Sequence, residues 1–131
     1  MPEINLLAVA AAALSAFLLG GLWYGPLFGR RWLAACGVSE DALSGRSMGR
    51  VFGLAAVLSL IAAANLAAFL GPEADLTFGL FAGFAAGFGW VAAFLGIIYL
   101  FEARPLSLWL INGGYATVAL TIMGAILGAM R

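Results

Sequence analysis

Few side chains in this sequence are equipped for chemistry, and they gather at a handful of positions. Phe101-Glu102-Ala103-Arg104-Pro105 sets a carboxylate two residues from a guanidinium. A carboxylate so placed can hold a cation or a proton, or it can pair with Arg104 or another nearby arginine; at the edge of an apolar stretch the ion pair is the simpler role. Trp23-Tyr24-Gly25-Pro26 closes the first apolar stretch, and Pro26 ends or redirects a helix there. Asn5, Asn65, Asn112, Tyr115, Thr117 and Thr121 are polar groups in apolar surroundings. They could line a conduit, but they equally suit hydrogen bonds between helices, each of order 1 kcal/mol. There is no histidine, all six basic residues are arginine, and Cys36 is the single cysteine. General acid–base catalysis and metal ligation are therefore poorly supplied. The expectation is no enzyme, no metal and no cofactor, with Cys36 a small apolar filler.

The elements that position these groups follow from where charge is absent. All twelve charged residues fall outside four stretches, 4–29, 51–72, 76–101 and 105–130. A helix rises about 1.5 Å per residue and the hydrocarbon core is roughly 30 Å thick, so about 20 apolar residues cross it. With 65% hydrophobic and 9% charged residues, a water-soluble fold would lack a polar surface to cover itself. Lipid offers no hydrogen bonds, and uninterrupted apolar runs exclude barrel strands. The reading is an all-α membrane bundle with helices at about residues 4–25, 50–71, 76–101 and 106–130 in one domain. Gly71-Pro72-Glu73-Ala74-Asp75 forms a tight turn, and Pro105 suits the first turn of the fourth span. Met1-Pro2-Glu3 lacks the positive start of a secretory signal, so the first span is expected to be retained despite a signal-like fragment at Ala12 to Ala16.

Charge sign then orients the bundle. Arg30, Arg31, Arg46 and Arg50 lie in the connection at about 28–49 and Arg104 follows the third span, leaving Arg131 alone at the other side. The positive-inside rule puts these loops in the cytoplasm and both termini in the periplasm or outside the cell. Within the connection, Phe28, Trp32 and Leu33 alternate with Arg30 and Arg31 as in a short interfacial helix stopped at Gly37. Ser39-Glu40-Asp41 reads as a capped start of a further turn. Zero net charge leaves no basic face for nucleic acid.

Plotted at 100° per residue, Gly79, Gly83 and Gly87 share a side of the third span with Ala82, Ala86 and Ala93, a small-residue stripe that lets two backbones approach closely. Phe81, Phe84, Phe88, Leu95 and Tyr99 fall opposite, toward lipid or a second subunit. The fourth span repeats the device with Ser107, Gly114, Thr121 and Gly128, joined by Thr117 and Gly124, while Asn112 points the other way. Both sides of that helix want protein, which makes it central. Asn5, Ala8, Ala12, Ala16 and Trp23 in the first span, and Ser59, Ala62 and Asn65 in the second, read as inward faces. Near the cytoplasmic boundary, Trp23, Tyr24, Pro26, Trp32, Glu102, Arg104 and Trp109 form the candidate functional cluster.

The run Gly20-Gly21-Leu22-Trp23-Tyr24-Gly25-Pro26-Leu27-Phe28-Gly29-Arg30, with Asn5 before it and Trp32 after, carries a further signal. So do Phe101-Glu102-Ala103-Arg104-Pro105, Leu110-Ile111-Asn112-Gly113-Gly114-Tyr115 and Met123-Gly124. Together these motifs resemble the bacterial membrane family known as domain of unknown function 1761, along nearly the whole chain. The Trp-Tyr-x-Pro-x-x-Phe-Gly run is its most specific piece, with Gly25 where the family often has serine. The resemblance implies an integral membrane protein and no agreed activity. The first and third spans, each ending in an aromatic and charged motif, also suggest a faint internal duplication.

Three functions fit to different degrees. A structural or interaction protein, forming a homo-oligomer or serving as an accessory subunit of a membrane complex, accounts for the small-residue faces. A small oligomeric transporter or channel is the alternative, weakened by the lack of an ionisable group near the midplane. A lipid- or quinone-handling enzyme is the most remote.

Overall fold

A computed structural model describes residues 5–38, 45 and 47–130. Ser39-Glu40-Asp41, Arg46 and Arg131 lie outside the described residues. Helix α1 runs over Leu6–Leu27, α2 over Gly29–Cys36, α3 over Met48–Leu70, α4 over Leu76–Phe101 and α5 over Leu106–Ala129. All but α2 are long and apolar enough to cross a membrane. Three of these, α1, α3 and α4, start at a short polar side chain that satisfies first-turn N–H groups, which lipid cannot. Asn5 Oδ1 accepts from the N–H groups of Leu7 and Ala8 (3.0 and 3.2 Å). Ser47 Oγ caps α3 through Arg50 N (3.3 Å), and Asp75 Oδ1 caps α4 through Phe78 N (2.8 Å). Pro105 stands just before the first helical residue of α5 instead of inside its first turn. Gly37 ends α2 in the left-handed region at φ 70°, where a side chain would be strained.

Helix α5 is the centre. It packs on α4 along one side and on α1 along another, while α3 docks mainly on α1 and meets α4 little beyond their connection. The glycine stripe of α4 is what brings α4 close. A Cβ at Gly83 would overlap the Leu120 carbonyl oxygen, one at Gly79 the Gly124 carbonyl, and one at Gly128 the Asp75 carbonyl. These two helices touch backbone to backbone, so dispersion contacts replace the hydrophobic drive that lipid withholds. The α1 side of the core is built from Ala8, Ala12 and Ala16 against Ala119, Met123 and Leu127, with Ala63 and Leu66 of α3 behind them. Phe81, Phe84 and Phe88 point outward.

Expectations about the faces of Asn65, Tyr99 and Ala93 fail; Ala93, expected with the glycines, is exposed beyond the π segment of α4. Asn65 does not point inward; Ala63, Leu66 and Leu70 do, and Asn65 is exposed on the outer face of α3. A broad arc drawn through Ser59, Ala62 and Asn65 straddles the edge of the true inward face. Tyr99 does not follow Phe81 outward, because α4 is a π-helix over Gly87–Ala92. One inserted residue turns everything after it by roughly 100° relative to an unbroken helix, so a simple helical plot misplaces it. A second π segment, Trp23–Leu27, ends α1 around Pro26, with Phe28 N bonded to Trp23 O at 2.9 Å. Proline lacks the N–H that an α turn would use, and the wider turn accommodates it.

Candidate functional site

The π turn closing α1 aims Trp23 and Tyr24 at α5. Trp23 Nε1 donates to Ile111 O (2.8 Å). Tyr24 donates its hydroxyl to Asn112 Oδ1 (2.6 Å), and Asn112 Nδ2 donates to the Tyr99 hydroxyl oxygen (2.8 Å). Tyr115 donates to Ala16 O (2.8 Å). The rings pack around this line: Tyr24 lies edge-on to Tyr115 (5.4 Å) and to Trp32 of α2 (5.5 Å), and Trp23 lies 4.8 Å from Phe28. Four helices thus meet at one aromatic hub. Gly114 is part of it, since a Cβ there would press on the Trp23 ring at 3.1 Å.

Glu102 and Arg104 stand apart from the hub. Arg104 Nε pairs with Glu102 Oε1 at 3.2 Å, both side chains about half exposed, a kind of pair that contributes little. The Arg104 guanidinium also reaches Cys36 O (3.4 Å), which ties the end of α2 to the α4–α5 turn and places a cation at a helix C-terminus. Ala103 takes a left-handed φ of 56°, strained for a residue with a Cβ. It closes α4 as glycine usually would, with Arg104 N bonded to Tyr99 O at 2.9 Å. Burial pushes the Cys36 thiol pKa up, and Arg104 pulls it partly back.

Trp109 also leaves the expected cluster. Its Nε1 donates to Ala92 O (2.7 Å), the last residue of the π segment in α4, and the indole fits a notch between Gly96 and Gly113. Pro26 is exposed in its π turn. The polar residues expected to join helices divide three ways. Asn5 donates to Met130 O and joins the ends of α1 and α5, while Asn112 and Tyr115 bond between helices. Thr117 and Thr121 donate to Gly113 O and Thr117 O within α5 itself. Asn65 has no side-chain hydrogen bond with any described residue. Gly79, Gly83, Gly87, Gly124 and Gly128 form the α4–α5 contact.

No motif or spacing marks Tyr99 as a partner of Asn112. Side chains on a helix lean toward its N-terminus, so Asn112 leans toward the α4–α5 turn while Tyr99 leans away from it. They close a spacing that counting from the turn leaves open. Chemically the hub holds hydroxyls, an amide and indoles, groups suited to fixed hydrogen bonding.

A family model described as "Protein of unknown function (DUF1761)" matches residues 7–128. The chain belongs to the DUF1761 family. No curated protein and no solved structure matches it. In this DUF1761 chain the matched region takes in the hub and all four long helices, which mark a multi-pass membrane protein.

Proposed function

We propose that this chain is a structural and interaction protein of the bacterial cytoplasmic membrane that pairs with a second copy of itself through the outer face of α3. Asn65 carries this reading. It lies about 8 Å inside the end of α3, exposed and without a side-chain partner among the described residues. A short amide cannot reach water as a long arginine does, and an amide in hydrocarbon is unfavourable unless bonded.

Its neighbours supply the rest of an interface. Leu54, Leu58 and Ile61 are exposed, and Leu54, Leu58, Ile61, Asn65 and Ala68 recur at alternating intervals of four and three. That spacing is the seam one helix offers another in a left-handed pair, and a single asparagine in such a seam fixes register. Across a two-fold axis, two Asn65 side chains would satisfy each other. The arginine imbalance supports a cytoplasmic 28–49 connection and termini on the far side. No bond-making step is assigned, because the hub consists of groups already bonded helix to helix. Particle mass in lipid nanodiscs tests the reading, with two copies per particle expected. A single copy would overturn it, and a stoichiometric second polypeptide would make the chain an accessory subunit instead.

A further inference from the structure

The Trp23 ring that packs into the hub also walls an open groove of about 730 Å³ where α2 lies across the first turns of α5. Phe28, with Ala34 and Ala35 of α2, and Leu110 and Ile111 of α5 give it apolar walls, and Arg31 and Ser107 are its polar side chains. From Pro105 to Gly114 the lining follows α5 for about 13 Å, from the edge of the apolar span toward its interior.

We infer that this groove binds an anionic glycerophospholipid, with one acyl chain along the apolar wall and the phosphate at Arg31 and Ser107. Water in the inner part would face walls of Trp, Leu, Ile and Ala that offer few hydrogen-bond partners, whereas an acyl chain is matched to them. The polar end is complementary in charge. Arg31 has no ion-pair or hydrogen-bond partner among the described residues, whereas Arg104 is already paired with Glu102. Arg30, Arg31, Arg50 and Arg104 at this end outweigh Glu102 among the described residues, which favours a negative headgroup over a zwitterionic one. The Ser107 hydroxyl, likewise without a partner, adds a donor for a phosphate oxygen.

Native mass spectrometry of the full chain with phosphatidylglycerol and phosphatidylcholine of matched chains tests this. One phosphatidylglycerol per chain is expected to be retained in preference to phosphatidylcholine. Arg31→Gln should reduce that preference about fivefold, the worth of one arginine at the surface. Arg30→Gln should reduce it far less, since Arg30 adds to the positive field at this end but does not line the groove, and Ala34→Trp should block both lipids by filling it. Equal retention of the two lipids by the unaltered chain would overturn the inference. So would an Arg30→Gln loss matching that of Arg31→Gln, which would mean a diffuse basic surface, or lipid retention untouched by Ala34→Trp. If Ala34→Trp abolishes a dimer and leaves lipid retention intact, the groove belongs to a second copy. Should Ala34→Trp fail to fold, the two arginine variants decide alone.

Discussion

Asn112 accepts from Tyr24 and donates to Tyr99, so one amide links α1 and α4 through α5. Removing Tyr24's hydroxyl leaves one unmet acceptor; removing the amide strands two hydroxyls in an apolar setting. Tyr24→Phe is therefore expected to destabilise by about 1 kcal/mol and Asn112→Leu by about 2 kcal/mol, read from thermal unfolding in detergent. Equal and negligible effects would show that the rings alone hold the hub. Asn112 as a residue needing protein contact was legible, because an amide in an apolar span demands a partner. Which partner was not, because Tyr99 reaches it only after the π turn has rotated the end of α4. Glu102 attracts attention as a carboxylate in sequence, yet in space it is an exposed partner of Arg104.

Helices α4 and α5 meet through glycines whose missing side chains are filled by the other backbone, so tolerance to methyl groups should divide sharply by position. Gly83→Ala would force a Cβ into the Leu120 carbonyl, and the backbone there cannot step aside as a side chain could. A loss of about 3 kcal/mol is expected. Gly53→Ala, with nothing within 4 Å of the added atom, should cost nothing and stabilise by up to about 1 kcal/mol, as alanine does over glycine inside a helix. Comparable losses at both sites would place the tight contact elsewhere. The stripe itself was visible as a four-residue spacing. The sequence was silent on the π segment at Gly87–Ala92, which has no proline to announce it, whereas Pro26 did mark the break in α1. Trp109 illustrates the consequence: its place near the start of the fourth span was readable, but its partner, Ala92 O, belongs to the unannounced turn.

For the molecule as a whole, the exclusion of charge from four stretches made the spans readable, and arginine imbalance suggests their direction. Cys36, the single cysteine, provides a natural probe of that direction. A membrane-impermeant maleimide should label it only after the cytoplasmic side is opened; labelling in intact cells would reverse the orientation. Maleimides attack the thiolate, and burial raises the pKa of this thiol. Labelling should therefore be slower near neutral pH than for a free cysteine and rise at higher pH. Arg104→Gln, by removing the charge that lowers the pKa, should slow it further. The arrangement of α3 could not be read in the same way, since an apolar helix with leucines all round does not say which side meets protein and which meets lipid. Only the packed bundle reveals that Asn65 is left over. The most direct test of pairing through α3 is the copy number of the chain in lipid nanodiscs, measured for the parent, Asn65→Gln and Asn65→Leu. Two copies are expected for the parent and for Asn65→Gln, with Asn65→Leu shifted toward one; a parent that remains single at every protein concentration would contradict it.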